Sequence, residues 1–235
     1  MQTIRYNTPT VYQDMETTEH ILIGGTTGSG KSVALDGFII HLLQHTPAEV
    51  GFVLIDPKRV ELAKYKKFPH TLAHAWEMEE INNWLINCES EMNYRYAEME
   101  KKDINKYDGG HIYIIIDEYA AIGGQYGKAS KRAIEALTNI AFMGRAANMH
   151  IVACTQRPTA DVIDGMLKAN FTTTLALRTR SEQESRNLIQ TKDARYLPRY
   201  GKAYYSTPND TEIRCVDIKM VPDSLRADVT NYWTK

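Results

Sequence analysis

One stretch near the N-terminus constrains the fold of this chain more than any other. Residues 21–23 are apolar, and residues 25–32 read GTTGSGKS. This string satisfies the pattern G-x-x-x-x-G-K-[ST] and lies between a predicted buried strand and a predicted helix, the context in which the pattern is informative. Glycines let successive backbone N–H groups turn inward, and a helix N-terminus adds partial positive charge. The sequence therefore predicts a phosphate-binding loop.

The side chains of this loop have predicted roles. We expect Lys31 to reach the β- and γ-phosphates of ATP, and the Ser32 hydroxyl to ligate Mg²⁺. The candidate ATP-binding residues run without a gap: Gly25, Thr26, Thr27, Gly28, Ser29, Gly30, Lys31, Ser32 and Val33. A glycine-rich turn that matches by chance is the alternative, which the flanking strand and helix disfavour.

The rest of the chain alternates between strand and helix patterns. Continuous apolar runs predict buried strands over residues 51–56, 111–118 and 149–155, and apolar residues at helical spacing predict helices over 33–45, 77–101 and 130–147. A short helix over 161–168, a strand over 172–178 and a helix over 181–189 follow. A terminal hairpin turning at Pro208, Asn209 and Asp210, and a last helix from Pro222 to about Trp233, complete the pattern.

This alternation predicts an α/β fold with a mainly parallel sheet, helices on both faces, and a C-terminal β-hairpin plus helix. We find no internal repeat or linker in the sequence. The expected organisation is a single domain over residues 1–235, with a core at about 18–218.

An acidic pair follows the apolar strand at residues 112–116. Asp117 and Glu118 emerge where that strand ends, and a phosphate-binding loop needs a metal-holding acid at the end of a neighbouring strand. We expect Asp117 to hold the Mg²⁺ shell and Glu118 to polarise the attacking water. The alternative is that the two acids only cap the strand.

Two further residues are candidates for γ-phosphate chemistry. Gln156 ends the strand at 149–155, so its amide could sense whether the γ-phosphate is present. Arg145 lies at a helix end just before that strand. Its ordinary role is interaction with the helix C-terminus, and its functional role would be an arginine finger inserted into a neighbouring subunit's nucleotide.

Composition excludes several classes of protein. The 28 Lys and Arg residues balance 29 Asp and Glu residues, so there is no global basic field and a polyanion site must be local. The three cysteines form no CxxC pair, which disfavours a disulfide framework or a zinc site and predicts reduced core thiols. No apolar run approaches the roughly 18 residues of a membrane helix, and the N-terminus lacks the pattern of a secretory signal. We expect a cytoplasmic protein without membrane insertion.

Two minor patterns leave alternatives open. His70 and His74 have a spacing that could bind a metal on a helix, but no third ligand is evident, which favours packing histidines. Lys58 and Arg59 follow a strand end beside the predicted phosphate-binding loop. They could touch phosphate or a neighbouring subunit, or form a solvated basic loop.

Taken together, the motifs resemble the RecA-like motor domain of the FtsK/SpoIIIE family of DNA-translocating ATPases. The resemblance runs from about residue 20 to 189 and rests on an ordered set of segments, with a similar tail after it: HILIGGTTGSGKSV, VLIDPKRVEL, EMNYRY, IYIIIDEYAAI, GRAANMHIVACTQRPTADVIDGMLKANF and SRNLI. The segment TQRPTADVIDGMLKAN is far more specific than the phosphate-binding loop, which many NTPases share.

The resemblance implies a ring, expected to be a hexamer, with ATP at each subunit interface and double-stranded DNA in the central pore. It supports Gln156 as the γ-phosphate sensor and Arg145 as the finger acting in trans. It also implies DNA contacts by Arg157, Lys168 and Arg186, whereas Glu182 departs from the family pattern, in which lysine is common. Larger relatives carry membrane helices and a winged-helix module, for which this sequence has no room. Direction and loading would then come from a loading or targeting protein partner, from DNA structure or from the motor itself.

Three functions remain open from the sequence. The favoured one is an Mg²⁺-dependent ATPase that translocates double-stranded DNA. The second is a coupling ATPase for conjugative DNA transfer or export. The third is a nucleotide-gated DNA-binding assembly module that does not translocate.

Overall fold

The computed structural model describes residues 10–124, 127–163, 165–207 and 212–234, with only the backbone of residue 166. Seven α-helices lie within these ranges: α1 (Thr10–Glu16), α2 (Lys31–Leu42), α3 (Met78–Lys102), α4 (Lys131–Met143), α5 (Gly165–Asn170), α6 (Glu182–Ile189) and α7 (Asp223–Trp233). The same ranges hold eight strands: β1 (Ile21–Gly24), β2 (Val50–Ile55), β3 (Thr71–Ala75), β4 (His111–Ile116), β5 (Met149–Thr155), β6 (Thr173–Ala176), β7 (Lys202–Ser206) and β8 (Arg214–Asp217).

The strands form one sheet in the order β3-β2-β4-β5-β1-β6-β7-β8. The first six are parallel, and β7 and β8 are antiparallel to their neighbours. Gly24 pairs with Thr155, and Ile55 pairs with Ile116. The segments that follow β1, β2, β4 and β5 therefore leave the sheet at one edge, which we call the carboxyl edge.

Helices cover both faces of this sheet because its central strands are apolar on both sides. On β1, Leu22 belongs to the core beneath α3, α4, α5 and α6, whereas Ile21 and Ile23 belong to the core beneath α1, α2 and α7. Each fully buried side chain of this kind contributes about 1.5–3 kcal/mol to folding. The predicted α/β fold with a mainly parallel sheet and a C-terminal hairpin plus helix is confirmed.

Two elements were not predicted from the sequence. Helix α1 has only seven residues, of which three are buried, and strand β3 reads TLAHA with two buried positions. Both patterns are too short or too weakly apolar to stand out. Because His74 lies on β3, the helical spacing considered for a metal site is wrong. His70 is buried, stacks on Phe52 and donates from Nε2 to the His45 carbonyl at 2.8 Å, which is a packing role.

Several boundaries differ from the predictions. The helix predicted over 161–168 begins at Gly165, and the helix predicted to reach residue 147 ends at Met143. The latter is followed by a turn in which Asn148 has φ of 53°. The hairpin strands are confirmed, but the turn predicted at Pro208, Asn209 and Asp210 lies outside the described residues.

The prediction that all three cysteines are core thiols is wrong for one of them. Cys88 and Cys154 are buried free thiols, and burial raises the pKa of each to about 12. Cys215 is also free but exposed, because β8 is the outermost strand of the sheet. It is therefore not a core thiol. Within the described ranges, no helix combines the length and apolar character that crossing a membrane requires.

Candidate nucleotide-binding site

The segment between β1 and α2 has a backbone that only glycines accommodate easily. Gly28 and Gly30 have φ of 74° and 98°, in the left-handed region where L side chains are strained. A Cβ on Gly25 would lie 2.6 Å from Ser29 Oγ and 2.9 Å from Leu177 Cβ. The glycines predicted to shape a phosphate-binding loop therefore occupy positions that require glycine.

The loop leaves polar groups facing an anion site. Gly30 is the N-cap of α2 and has no side chain to accept hydrogen bonds from the N–H groups of the first turn. Ser29 Oγ is buried and, among the described residues, has no hydrogen-bond partner. An orphaned hydroxyl and an uncapped helix N-terminus fit a bound phosphate.

Lys31 and Asp117 form a buried ion pair at the carboxyl edge. Lys31 Nζ lies 3.0 Å from Asp117 Oδ1 and donates to the Asp117 carbonyl oxygen at 2.9 Å. Burial acts against the charge of Lys31, but the Asp117 and Glu118 carboxylates outweigh it, so the pKa of Lys31 is raised. Strand order brings the pair together, because Lys31 follows β1, Asp117 follows β4, and these two strands flank β5.

Glu118 and Gln156 meet beside the loop. The Gln156 N–H donates to Glu118 Oε1 at 3.1 Å, and Thr27 Oγ1 donates to Gln156 Oε1 at 2.7 Å. Lys58 Nζ lies 3.2 Å from Glu118 Oε2. Glu118 is thus held between two donors, and Gln156 bridges the loop and the proposed base.

Ser32 and the neighbouring acids suit a hard cation. Ser32 Oγ donates to Glu61 Oε1 at 2.7 Å. Burial raises the pKa of Asp117, and the Asp56 and Glu61 carboxylates act in the same direction against the opposing effect of Lys31. Oxygen donors with surplus negative charge fit Mg²⁺. Among the described residues, no three His, Cys, Asp or Glu side chains are arranged to hold a metal ion.

Sequence reasoning missed part of this site. The sequence does not single out Glu61, whose Oε1 accepts a hydrogen bond from Ser32. It allows Lys58 to contact phosphate or a neighbouring subunit or to lie in a solvated loop, whereas in the structure its ammonium contacts Glu118. The available signal was that the segment DPKRVEL follows β2, whose carboxyl end lies next to that of β4. Sequence alone could not say which loop side chain turns inward.

Arg145 lies at the opposite, amino edge of the sheet. It precedes β5 by four residues, and its Nε is 2.8 Å from Oε1 of Glu19, which precedes β1. The side chain is 79% exposed. The seven residues of β5 span about 23 Å at 3.3 Å per residue. Arg145 therefore cannot reach the phosphate-binding loop of its own chain.

The three candidate DNA contacts are grouped around α6. Asn187 Nδ2 donates to the Pro158 carbonyl at 3.1 Å, which brings the segment containing Arg157 next to α6, where Arg186 lies. Lys168 lines a pocket with Leu188 and Ile189 near the end of α6, and burial lowers its pKa.

Two of these cations already have acidic neighbours. Arg157 lies 3.9 Å from Asp161 and Arg186 lies 3.0 Å from Glu182, each four residues apart. Binding a DNA phosphate would require each arginine to exchange its carboxylate.

Comparison with known proteins decides the family. The model of the FtsK/SpoIIIE family matches residues 2–114. "DNA translocase FtsK 1" of Neisseria meningitidis serogroup B is 31% identical over an alignment that includes 94% of this chain. The chain belongs to the FtsK/SpoIIIE family. Members of this family are NTP-hydrolysing enzymes, and the present chain corresponds to 31% of the length of that relative.

Solved structures confirm the fold of this FtsK/SpoIIIE domain. The pCW3 conjugation coupling protein TcpA, solved as a monomer with ATPγS, superposes with a TM-score of 0.79 at 20% identity, covering 93% of this chain and 66% of that one. The cytoplasmic domain of the type VII secretion ATPase EccC from Thermomonospora curvata gives 0.75 at 23% identity, covering 86% of this chain and 25% of that one. At these identities the likeness concerns the fold.

Proposed function

We propose that this chain is the motor domain of an ATP-dependent translocase of double-stranded DNA, working in a ring with ATP bound where subunits meet. The observation that carries the proposal is the separation of its two charged regions. Lys31, Asp117, Glu118 and Gln156 converge at one edge of the sheet, while the exposed Arg145 lies at the other. If Arg145 acts on a nucleotide, that nucleotide is bound by a second copy of the chain, and such a heterologous contact forms a ring when its rotation closes.

The chemistry follows from the residues at the carboxyl edge. Bound Mg²⁺, held by Ser32 and Asp117, would neutralise charge on the β- and γ-phosphates. Lys31 would leave Asp117 to hold the γ-phosphate, and Glu118 would orient and polarise the attacking water. Gln156 would sense the γ-phosphate through its side chain, and Arg145 of the adjacent copy would stabilise the charge of the transition state.

Two features support DNA as the translocated substrate. They are the family of the chain and the grouping of Arg157, Lys168 and Arg186 around α6. A few basic side chains from each of several subunits give sequence-independent affinity and allow sliding. Loss of the γ-phosphate would loosen the subunit interface and shift these segments. A hexamer is the ring size that we propose.

The test is ATP turnover measured with and without linear duplex DNA, over a range of protein concentrations. We expect turnover per chain to rise with concentration and with duplex. Displacement of a third DNA strand from a triplex then separates a motor from a nucleotide-gated binding module. The Lys31→Ala variant should lose nucleotide binding and displacement. Lys131→Ala, a change at an exposed α4 lysine, is the matched control and should behave as wild type.

Two outcomes would contradict the proposal. Turnover that is unaffected by concentration and duplex would exclude a shared site and a DNA-coupled cycle. DNA-stimulated turnover without triplex displacement would favour the non-translocating module. A coupling role in conjugation or export would require a further partner to stimulate turnover beyond the level reached with duplex.

A further inference from the structure

The segment after β2 is a short loop held from inside by one carboxylate. Asp56 is fully buried, and its Oδ1 and Oδ2 accept hydrogen bonds from the N–H groups of Lys58 at 3.2 Å and Leu62 at 3.0 Å. We call residues 56–62 the Asp56 loop. Because one side chain fixes both halves of the loop, its members are positioned as a unit.

The outer side of the Asp56 loop is fastened as well. Arg59 has φ of 59°, an uncommon conformation for a residue other than glycine, and its N–H donates to the Asp56 carbonyl at 3.0 Å. Its guanidinium lies 5.3 Å from the centre of the Trp76 ring and pairs with Glu77. These contacts tie the loop to the junction between β3 and α3.

Two side chains of the loop contact different residues of the candidate nucleotide site. Glu61 Oε1 accepts a hydrogen bond from Ser32 Oγ at 2.7 Å, and Lys58 Nζ lies 3.2 Å from Glu118 Oε2. Ser32 lies at the start of α2, whereas Glu118 lies in the segment that follows β4. The Asp56 loop is therefore a physical link between the proposed metal ligand and the proposed base.

We propose that the Asp56 loop supplies two positioning residues for ATP hydrolysis, Glu61 for Ser32 and Lys58 for Glu118. This inference rests on the ATPase chemistry of the proposed function and is independent of DNA or translocation. It assigns neither residue to direct contact with the reacting atoms.

The role of Glu61 follows from the chemistry of a hydroxyl group. Ser32 Oγ carries one proton and two lone pairs. Because the O–H donates its hydrogen bond to Glu61, the lone pairs stay free for Mg²⁺, and such outer contacts change metal affinity by roughly 10- to 100-fold.

The role of Lys58 follows from the two contacts of Glu118. The Gln156 N–H holds Oε1, and the Lys58 ammonium holds Oε2. Two donors on separate oxygens fix the plane of the carboxylate, and with it the direction in which it can accept a proton from water. Small misplacements of reacting groups reduce rates by up to about 100-fold.

The role proposed for Glu61 is tested by measuring ADP affinity as a function of Mg²⁺ concentration, an experiment that involves no turnover. For Glu61→Ala, we expect the Mg²⁺ concentration that gives half of the full gain in ADP affinity to rise about 10-fold or more. ADP affinity measured in EDTA should stay unchanged. Glu61→Gln retains an acceptor oxygen and should recover most of the loss. An unchanged Mg²⁺ dependence, an equal loss in EDTA, or a glutamine variant as impaired as the alanine variant would overturn this assignment.

The role proposed for Lys58 is tested by steady-state kinetics of ATP hydrolysis. For Lys58→Met, which keeps the stem and removes the charge, we expect kcat to fall between about 10- and 100-fold with KM for ATP unchanged. Lys58→Arg should restore part of kcat. Lys67→Met, at an exposed lysine beyond the loop, is the control. A change confined to KM, or a kcat equal to that of the control, would refute the role.

Failure of this proposal can be distinguished from failure of the proposed function. A chain that hydrolyses ATP without any response to duplex would refute the DNA motor and leave both loop assignments testable. If no turnover were detected, Mg²⁺-dependent ADP binding would still decide the role of Glu61. Melting temperatures of all variants, compared with wild type, identify any that fail to fold.

Discussion

The two edges of the sheet carry charged residues in contrasting states. At the carboxyl edge, Lys31, Asp117 and Glu118 are 5%, 1% and 7% exposed and contact one another or neighbouring loops. At the amino edge, Arg145 is 79% exposed and pairs with Glu19. Burying charges is costly unless they are paired, so the first group is organised by the chain itself. The second is available to another molecule.

In the proposed ring, this difference would divide the site between copies of the chain. The carboxyl edge holds Lys31, Asp117, Glu118 and Gln156, and the amino edge holds Arg145, the cation proposed to complete the site of a second copy. The predictions below test that division, beginning with the largest expected effect.

Arg145→Ala should lower kcat by on the order of 10³-fold while leaving ATP-analogue affinity nearly unchanged, since an arginine finger acts on transition-state charge. Mixing Arg145→Ala with Glu118→Gln chains provides the decisive measurement. If Arg145 acts in trans, equal mixing should restore turnover to at most about a quarter of wild type, because some interfaces then combine an intact base with an intact finger. Mixtures that stay inactive would place the finger and the base in the same chain.

Glu118→Gln should reduce kcat by about 10²- to 10³-fold, because the amide cannot accept the proton of the attacking water. Affinity for an ATP analogue should be retained, as Lys31 and the loop glycines are untouched. Single-turnover measurements with bound ATP separate the chemical step from binding. Undiminished turnover in this variant would remove Glu118 from the role of base.

Glu19→Gln tests whether the amino edge is organised in advance. Glu19 Oε1 pairs with Arg145, and its Oε2 accepts from Thr172 Oγ1 at 3.0 Å. Exposed ion pairs contribute at most about 1 kcal/mol, so we expect kcat to change less than about fivefold. An effect as large as that of Arg145→Ala would mean that the finger is fully organised within its own chain, contrary to the contrast drawn above.

Glu16→Gln should affect stability and leave turnover unchanged. Glu16 lies 2.7 Å from His41 Nε2 and 2.6 Å from His45 Nε2. Although burial opposes it, hydrogen bonds from both histidines lower the pKa of Glu16 from 4.5 to about 2. The Glu16 hydrogen bond raises the pKa of His45 above 6.5.

The sign of the pH dependence follows from these shifts. Stabilisation from a lowered carboxyl pKa is complete above pH 4.5 and is lost as the pH falls toward 2. Stabilisation from a raised histidine pKa is complete below pH 6.5 and is lost at higher pH. The variant should therefore lose about 1 kcal/mol of unfolding free energy between these values and less on either side, as measured by urea titration. A loss independent of pH would contradict the ion pairs.

Much of the site could be predicted because its signals are local. The strand, the glycines and Lys31 lie within a dozen residues, and Asp117 directly follows an apolar strand. Helix α1 and strand β3 were missed because their burial depends on partners distant in sequence, as with Tyr12 against Phe38. The roles of Gln156, Arg145 and the DNA contacts stay predictions.

The sequence alone determined the alternation of strands and helices, the phosphate-binding loop and the acids at a strand end. These follow from side-chain periodicity and from the backbone freedom of glycine, which are properties of neighbouring residues. Only the tertiary structure decided that Lys58 contacts Glu118, that Glu61 accepts from Ser32, and that Arg145 lies across the sheet from the loop of its own chain. The two contacts join residues 60 and 29 positions apart, and strand β5 separates Arg145 from the loop. Strand order, which no local pattern records, sets such distances.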